Sequence, residues 1–355
     1  MRARNAIRWA WRNFRCGHAN PILVLTTTFL AFSFLGAIEI LQVSSMLHTV
    51  DTYQESASNV LMVSIDRGVD GKACDRLSGV GNVQASGGIR ERPSVVLRQG
   101  AEVAIPAFDV SPGFADLVLG RHLDGSGVLV HDQLAFELGL AAGSRLNGTE
   151  GPVWVAGMFD WPGDGRDARL GYSILIPTSD SGPFDECWLR AWPVCADLAG
   201  LLRSSVIVRS SSPDAVQTRQ VNSSHGRVLD MSRVYQERAS RFAALGAAVY
   251  GLSVGYVWAR RRRVEFADGL SMGQARGSLM LQVTVELLLV GLPSVVLCAA
   301  TLGAITRVGG QSFSWSVWRL AMVCPLVGVP AIWLGAAVGI ATIRRRSLYR
   351  YFKGR

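Results

Sequence analysis

The hydrophobic positions of this chain gather into four long runs. Ile22–Val43, Phe242–Ala259, Ser278–Ile305 and Leu320–Ile343 are rich in Leu, Val and Ala and carry few charges. Each is about the ~20 residues that a helix needs to cross hydrocarbon, and in lipid a helix satisfies its own backbone polar groups. The pattern predicts four transmembrane helices. The second run is the shortest and holds Gly246, Gly251 and Gly255, small residues that favour close helix packing.

The polar stretch between the first two runs, residues 44–241, is far too long for a connection without structure of its own. Glu39–Ser58 reads as a helical continuation of the first run, with Leu41, Leu47, Val50 and Tyr53 at roughly helical spacing. Short β-branched and apolar runs follow at Asn59–Asp66, Ser94–Arg98, Val128–Val130, Val153–Met158, Tyr172–Ile176 and Val206–Val208. Helical pieces at Gly71–Ser78 and Gln133–Gly139 lie between them, and Met231–Phe242 is an amphipathic helix leading into the second run. The expectation is an integral membrane α-helical protein, one span before and three after an α+β extracytoplasmic domain on a helical stalk.

Charge orients this layout. The 355 residues carry a formal net charge of +9, but the surplus is confined to three places. Residues 1–21 hold five arginines and no acid, residues 344–355 hold six Lys/Arg and no acid, and residues 260–277 set Arg260–Arg263 and Arg276 against Glu265 and Asp268. Residues 44–240 hold 17 Lys/Arg and 23 Asp/Glu, a net of −6. By the positive-inside rule both termini and the 260–277 loop are cytoplasmic, while the long domain and the short 306–319 loop are outside. A basic segment before an apolar run also opens a secretory signal; this run is longer than usual and lacks a clear A-x-A site, which favours an anchor. Nucleic-acid binding would want a basic face with interleaved polar or aromatic contacts on a folded domain. Here the arginines hug the membrane boundaries, where attraction to anionic lipid is a sufficient role.

Candidate chemistry is sparse. Cys187 and Cys195 bracket CWLRAWPVC in the outer domain, and a disulfide closing that short loop is the expected pairing, leaving Cys74 single. Trp188 and Trp192 flank the loop as a candidate cargo or partner surface, with core packing as the competing reading. Tryptophans 9, 11, 258, 315, 318 and 333 fall near the edges of the runs, as membrane anchors do. No histidine or cysteine spacing suggests a metal site. No G-x-x-x-x-G-K-[ST] loop occurs, so any ATP is handled by another chain. Glu39 and Glu286 lie in or at the edge of spans, where an acid is a functional hypothesis or half of an ion pair. Gly269-Leu270-Ser271-Met272-Gly273 matches the G-x-S-x-G nucleophile elbow. No histidine follows residue 225, so Ser271 lacks the base that would activate it.

Two segments carry a family likeness. Arg261-Arg262-Arg263-Val264-Glu265, then Gly273, Arg276 and Glu286-Leu287-Leu288, resembles the R-R-x-E…A-[LI]-G-A…E-x-L-L stretch of the MacB/FtsX superfamily of ABC-transporter permeases. Ile105–Phe114 (IPAFDVSPGF) is similar to its V-x-G-V-S-P-x-F segment, and Gly120-Arg121, Val128–Val130, Leu134-Ala135, Gly143-Ser144 and Val153–Gly157 follow the same order. The chain departs at Leu270, where the family usually has a basic residue, and at Gln274, usually small. The resemblance implies a bacterial plasma-membrane permease that dimerises with itself or a paralogue and binds two copies of a separate ATPase subunit. ATP and Mg would belong to that subunit, with no cofactor and no enzymatic activity in this chain. It also implies that residues 264–276 form a coupling helix in which Glu265, Phe266, Leu270, Met272, Gly273 and Gln274 meet the ATPase. Phe266, Leu270 and Met272 would supply apolar contacts and Gly273 close approach. The implied function is export or extraction of an amphiphilic cargo such as a peptide, antibiotic, lipid or haem. The alternative is an FtsX-like transducer that activates a cell-wall hydrolase and moves nothing; the large outer domain favours transport.

Overall fold

The structure is a computed structural model that describes residues 20–97, 103–123, 126–148, 151–180, 182–195, 197–207, 216–226, 229–307 and 313–343, with Arg8 and Arg12. Most of the N-terminal basic segment, the tail at 344–355 and part of the 306–319 loop lie outside the described residues. The chain divides into two compact units, a helical one built from Met1–His48 and Met231–Arg355, and a sheet unit, Thr49–Asp230.

In the helical unit, helix α1 (Pro21–Glu55) starts on a proline, whose missing N–H costs nothing in the first turn. Its first residues belong to the helical unit and its last to the sheet unit. Later in the chain come α6 (Met231–Glu237), α7 (Ala243–Arg261), α8 (Arg263–Ser271), α9 (Arg276–Ile305), α10 (Trp315–Ala321) and α11 (Val323–Ala341). Among the described residues four helical stretches are long and apolar enough to cross a membrane: Pro21–Glu55, Ala239–Arg261, Arg276–Ile305 and Trp315–Ala341. These and a separate mixed sheet fit a membrane protein with an outer domain.

Glycine sets the packing of α7 on α11. A Cβ on Gly255 would lie 1.9 Å from the Ile332 carbonyl oxygen, and one on Gly335 would lie 2.1 Å from that of Leu252. Gly251 faces Gly328 in the same way, whereas Gly246 has open space beside it. Two of the three glycines of this run therefore permit backbone contact, the usual basis of helix association in lipid. Helix α1 is tied to α9 by small polar contacts, Thr28 with Ser294 at 3.3 Å and Ser33 with Thr301 at 3.4 Å, and to α7 by the Tyr250 hydroxyl, which donates to the Thr27 carbonyl at 3.2 Å.

The sheet unit holds β1 (Val60–Val69), α2 (Gly71–Asp75), β2 (Val83–Leu97), β3 (Val103–Val110), α3 (Pro112–Leu119), β4 (Val128–His131), α4 (Asp132–Leu138), β5 (Arg145–Gly148), β6 (Gly151–Phe159), β7 (Ile174–Pro177), β8 (Phe184–Ala191), α5 (Leu198–Arg203) and β9 (Gln217–Gln220). The strand order is β3-β7-β4-β6-β5-β2-β8-β1-β9, and β3 also pairs with β2. The ladder between β5 and β2 and that between β3 and β2 thus close a ring of six strands, while β8, β1 and β9 extend from β2 as an open sheet. Long strand β2 serves both parts: residues 83–89 pair with β8 and residues 89–97 with β3. Its register shifts between Arg92 and Val95, around Pro93, where a proline removes a ladder donor and marks a bulge. Ile105, Val128, Val130, Leu146, Val155 and Ile174 are a buried cluster within the ring. Further clusters, one around Phe114 and Trp188 and one around Cys74 and Phe184, pack on the open sheet.

The Ser111-Pro112-Gly113-Phe114 segment is a joint. The Gly88 amide donates to the Ser111 hydroxyl at 2.8 Å, and that hydroxyl donates to Asp75 Oδ1 at 2.5 Å. Pro112 starts α3, and Gly113 approaches β2 so closely that its Cβ would meet the Ser86 carbonyl oxygen at 2.2 Å. Phe114 then reaches Trp188, edge to face at 5.2 Å. Burial pushes the Asp75 carboxyl above its ordinary range, against the Ser111 and backbone hydrogen bonds that favour its ionised form.

Three expectations for this unit are corrected. The disulfide joins Cys74 to Cys187, with Cα atoms 5.8 Å apart, and Cys195 is free and exposed. Cys187 sits mid-strand in β8 between Val63 and Gly88, so the extended chain carries Cys195 away from it, while the α2 helix lays Cys74 against that strand. Trp188 is fully buried and is no cargo surface: its indole N–H donates to Glu186 Oε2 at 2.7 Å. Trp192 is half-buried, its ring 6.0 Å from Tyr53. CWLRAWPVC is not a short loop, since its first half is a central strand.

Candidate functional site

The polar residues of the α7–α8–α9 junction converge on Arg262, the residue between α7 and α8. Its Nε and Nη2 donate to the two carboxylate oxygens of Glu265 at 2.8 and 2.7 Å. Nη1 donates to Glu286 Oε2, and Nη2 lies 3.4 Å from Glu286 Oε1. Gln282, one turn earlier on α9, donates to Glu286 Oε1 at 3.2 Å. The guanidinium also lies over two rings, 4.6 Å from the centre of Trp258 and 5.0 Å from that of Phe266, a desolvated cation–π setting.

The chemistry of this cluster is retention. A fork of five donors matches two carboxylates from different helices in a way that an ammonium does not. Glu286 is 2% exposed and lies about ten residues, or ~15 Å, along α9. Its charge is answered by Arg262, so its place within an apolar helix calls for no proton relay. Glu39 in α1 is answered in the same way by Arg238, Nε to Oε1 at 3.2 Å.

Helix α8 is amphipathic in a sense opposite to the one expected for Phe266 and Leu270. Both are 1% exposed and pack with Ala267, Leu279, Val283, Ile340 and Ile343, so they seat α8 on its own chain and are not free for a partner. Glu265 is half-buried and held by Arg262. The outward face is formed by Asp268, Ser271, Met272 and, past the helix end, Arg276; Met272 is 79% exposed. Gly273, with φ +84°, ends the helix, and the Gln274 amide donates back to the Gly269 carbonyl at 3.0 Å. This is the left-handed glycine stop of a helix. Gln274 is half-buried, its Oε1 so close to Gly269 that a Cβ there would lie 2.7 Å away.

The G-x-S-x-G pattern is thus a helix and its C-terminal cap, without the strand an elbow needs. The Ser271 hydroxyl donates to the Asp268 carbonyl at 2.7 Å. Sequence reasoning missed Arg262 and Gln282 as members of the site. The signal was available for Arg262, the one arginine of the 260–263 run at the helix break, but the run read as a boundary charge.

No family model and no curated protein matches the chain. Among solved structures, the chain is similar to the periplasmic region of MacB from Actinobacillus actinomycetemcomitans, at 10% identity and a TM-score of 0.35, over 54% of this chain and 99% of that one. A second is the extracellular domain of the noncanonic ABC-type transporter YknZ from Gram-positive bacteria, at 11% identity and a TM-score of 0.32, over 45% of this chain and 99% of that one. Likeness at this level carries no argument about function.

Proposed function

We propose that this chain is the permease subunit of an ABC transporter of the bacterial plasma membrane, with both termini cytoplasmic. In this reading α8 is the contact for a separate ATPase subunit, and ATP and Mg2+ belong to that subunit. Two permease chains and two ATPase copies form the complex. Closure of the ATPases moves α8, and the motion reaches the outer unit through α1, whose residues run from the helical unit into the sheet unit. The cargo is an amphiphile exported or extracted on the outer side.

The observation that carries the reading is the mounting of α8. A short helix with an exposed edge at Asp268, Ser271 and Met272 is clamped through Arg262 to Glu286, deep in an apolar helix. A force on that edge is therefore delivered to α9 through a charged, hydrogen-bonded joint and not through a mobile loop. The Cys74–Cys187 disulfide supports an oxidising surrounding for the sheet unit.

The test is co-purification through an affinity tag on this chain in mild detergent. An ATPase subunit should be recovered with the wild type and with Ser271→Ala, and lost with Met272→Asp, which places a charge on the exposed edge and leaves the buried side of α8 untouched. Recovery of no ATPase with the wild type would sink the proposal. ATP turnover that rises with a candidate cargo supports transport, and altered cell shape without altered accumulation of any compound supports the transducer instead.

A further inference from the structure

A groove of about 320 Å3 runs between α1 and α7 beside the Arg262 cluster, whose Arg262 and Trp258 contribute to its lining. Its walls are two helical stripes, Leu23, Val24 and Thr27 on α1 and Tyr250, Val254 and Val257 on α7, and it ends at Asn20 and Arg261. The stripes run antiparallel, since Val24 clusters with Trp258 and Ala259, and Phe32, further along α1, with Ala243 and Ala247, earlier on α7.

We infer that this groove is a binding site for one anionic phospholipid, with an acyl chain between the stripes and the headgroup phosphate on Arg261. Three observations select that occupant. From Tyr250 to Arg261 the α7 wall is ~16 Å long, the depth of one leaflet, about half of ~30 Å of hydrocarbon. A volume of about 320 Å3 over ~16 Å leaves a mean cross-section on the order of 20 Å2, far below the roughly 80 Å2 of a helix ~10 Å across, so the slot suits a single extended chain. The polar end is cationic: Arg261 is exposed and makes no ion pair among the described residues, whereas Arg262 beside it is committed to Glu265 and Glu286. The groove thus presents an apolar slot with Arg261, unpaired among the described residues, at its mouth. The assignment of this lipid to the cytoplasmic leaflet rests on the topology proposed above; the site itself does not.

The test uses the full chain in detergent, equilibrated with equimolar phosphatidylglycerol and phosphatidylcholine and read by native mass spectrometry as lipid retained per chain. The wild type should retain one phosphatidylglycerol in preference to phosphatidylcholine. Arg261→Gln should reduce that preference about fivefold, the contribution of one cation near a charged surface, and Arg261→Lys should restore it. Val257→Trp, which fills the slot, should abolish retention of both lipids. Unchanged preference in Arg261→Gln would overturn the inference. So would equal competition by soluble glycerol 3-phosphate, which would make the anion alone the ligand. A Val257→Trp chain that loses self-association but keeps its lipid would give the groove to a second copy. Selective lipid retention in a chain that recovers no ATPase would leave the site standing and remove the permease reading, and the converse would do the opposite.

Discussion

Arg262→Ala is the most informative perturbation of the helix junction. It removes the guanidinium shared by Glu265 and Glu286 and leaves the carboxylate of Glu286, 2% exposed, without it. Removing one partner of a buried pair costs about 3–5 kcal/mol because the other charge stays uncompensated, a roughly hundred- to several-thousand-fold shift in the folding equilibrium. Glu286→Gln is a milder change. It leaves Arg262 paired with Glu265, so the cluster becomes neutral where Arg262→Ala leaves two like charges. Replacing both Arg262 and Glu286 by methionine should recover most of the loss, since apolar replacement of a buried pair is often neutral. Cys298 and Cys324 are buried in the helical unit, so a thiol-reactive dye on a chain with Cys16 and Cys195 changed to serine reports unfolding of that unit on heating. The expected order of midpoints is wild type, then the double variant, then Glu286→Gln, with Arg262→Ala lowest by ~6–20 °C. An Arg262→Ala chain as stable as Glu286→Gln, or a double variant as weak as the arginine variant, would refute the assignment of Arg262 as the clamp.

Gly255→Ala and Gly335→Ala should each destabilise the helical unit by several degrees in the same assay, because their Cβ atoms would meet backbone oxygens at 1.9 and 2.1 Å, while Gly246→Ala should be silent. Cys187→Ser opens a bridge between residues 113 apart and should cost about 2–5 kcal/mol, with Cys195→Ser neutral; thermal melts with and without reductant check this. Asp75 has a folded-state pKa above its unfolded value, so it binds the proton more tightly when folded. Its contribution is full below the unfolded pKa of about 3.9 and is lost as pH rises through the higher folded value. Asp75→Asn should therefore flatten the stability profile just above that pH, and an unaltered slope would count against burial as the cause.

Much of the fold is legible because lipid imposes a length and composition on a helix that few other structures require. The first apolar run lies inside α1, and the helical continuation expected to residue 58 ends at Glu55. Ring strands β4, β6 and β7 fall near the β-branched runs read for them, whereas β3 and β5 were not read as strands. Strand β2 is different: only its last residues were legible, because Gly87 and Gly88 interrupt the apolar pattern that marks a strand. They are there for proximity, since a Cβ on Gly87 would lie 2.0 Å from the Phe114 nitrogen and one on Gly88 would touch the Phe184 ring at 3.0 Å. Strand β8 was hidden by its cysteine, whose spacing to Cys195 suggested a loop; pairing depends on which faces meet across a sheet, and sequence separation does not encode that.

The junction shows the same limit for a site. Glu265, Phe266 and Leu270 carry the segment's resemblance or its apolar pattern, and a linear reading assigns all of them to a partner. Folding uses them first. An arginine at a helix break is expensive to bury unless its donors are filled, and Glu265 and Glu286 fill them; Phe266 and Leu270 then close the cluster from solvent. What remains for a partner is the opposite edge, where Asp268, Ser271 and Met272 are exposed and the Ser271 hydroxyl bonds back to the Asp268 carbonyl of its own helix. Partner choice and helix mounting therefore reside on separate faces of α8, so charge changes at 268, 271 and 272 should retune ATPase binding without lowering the melting midpoint, and changes at 265, 266 and 270 should lower both together.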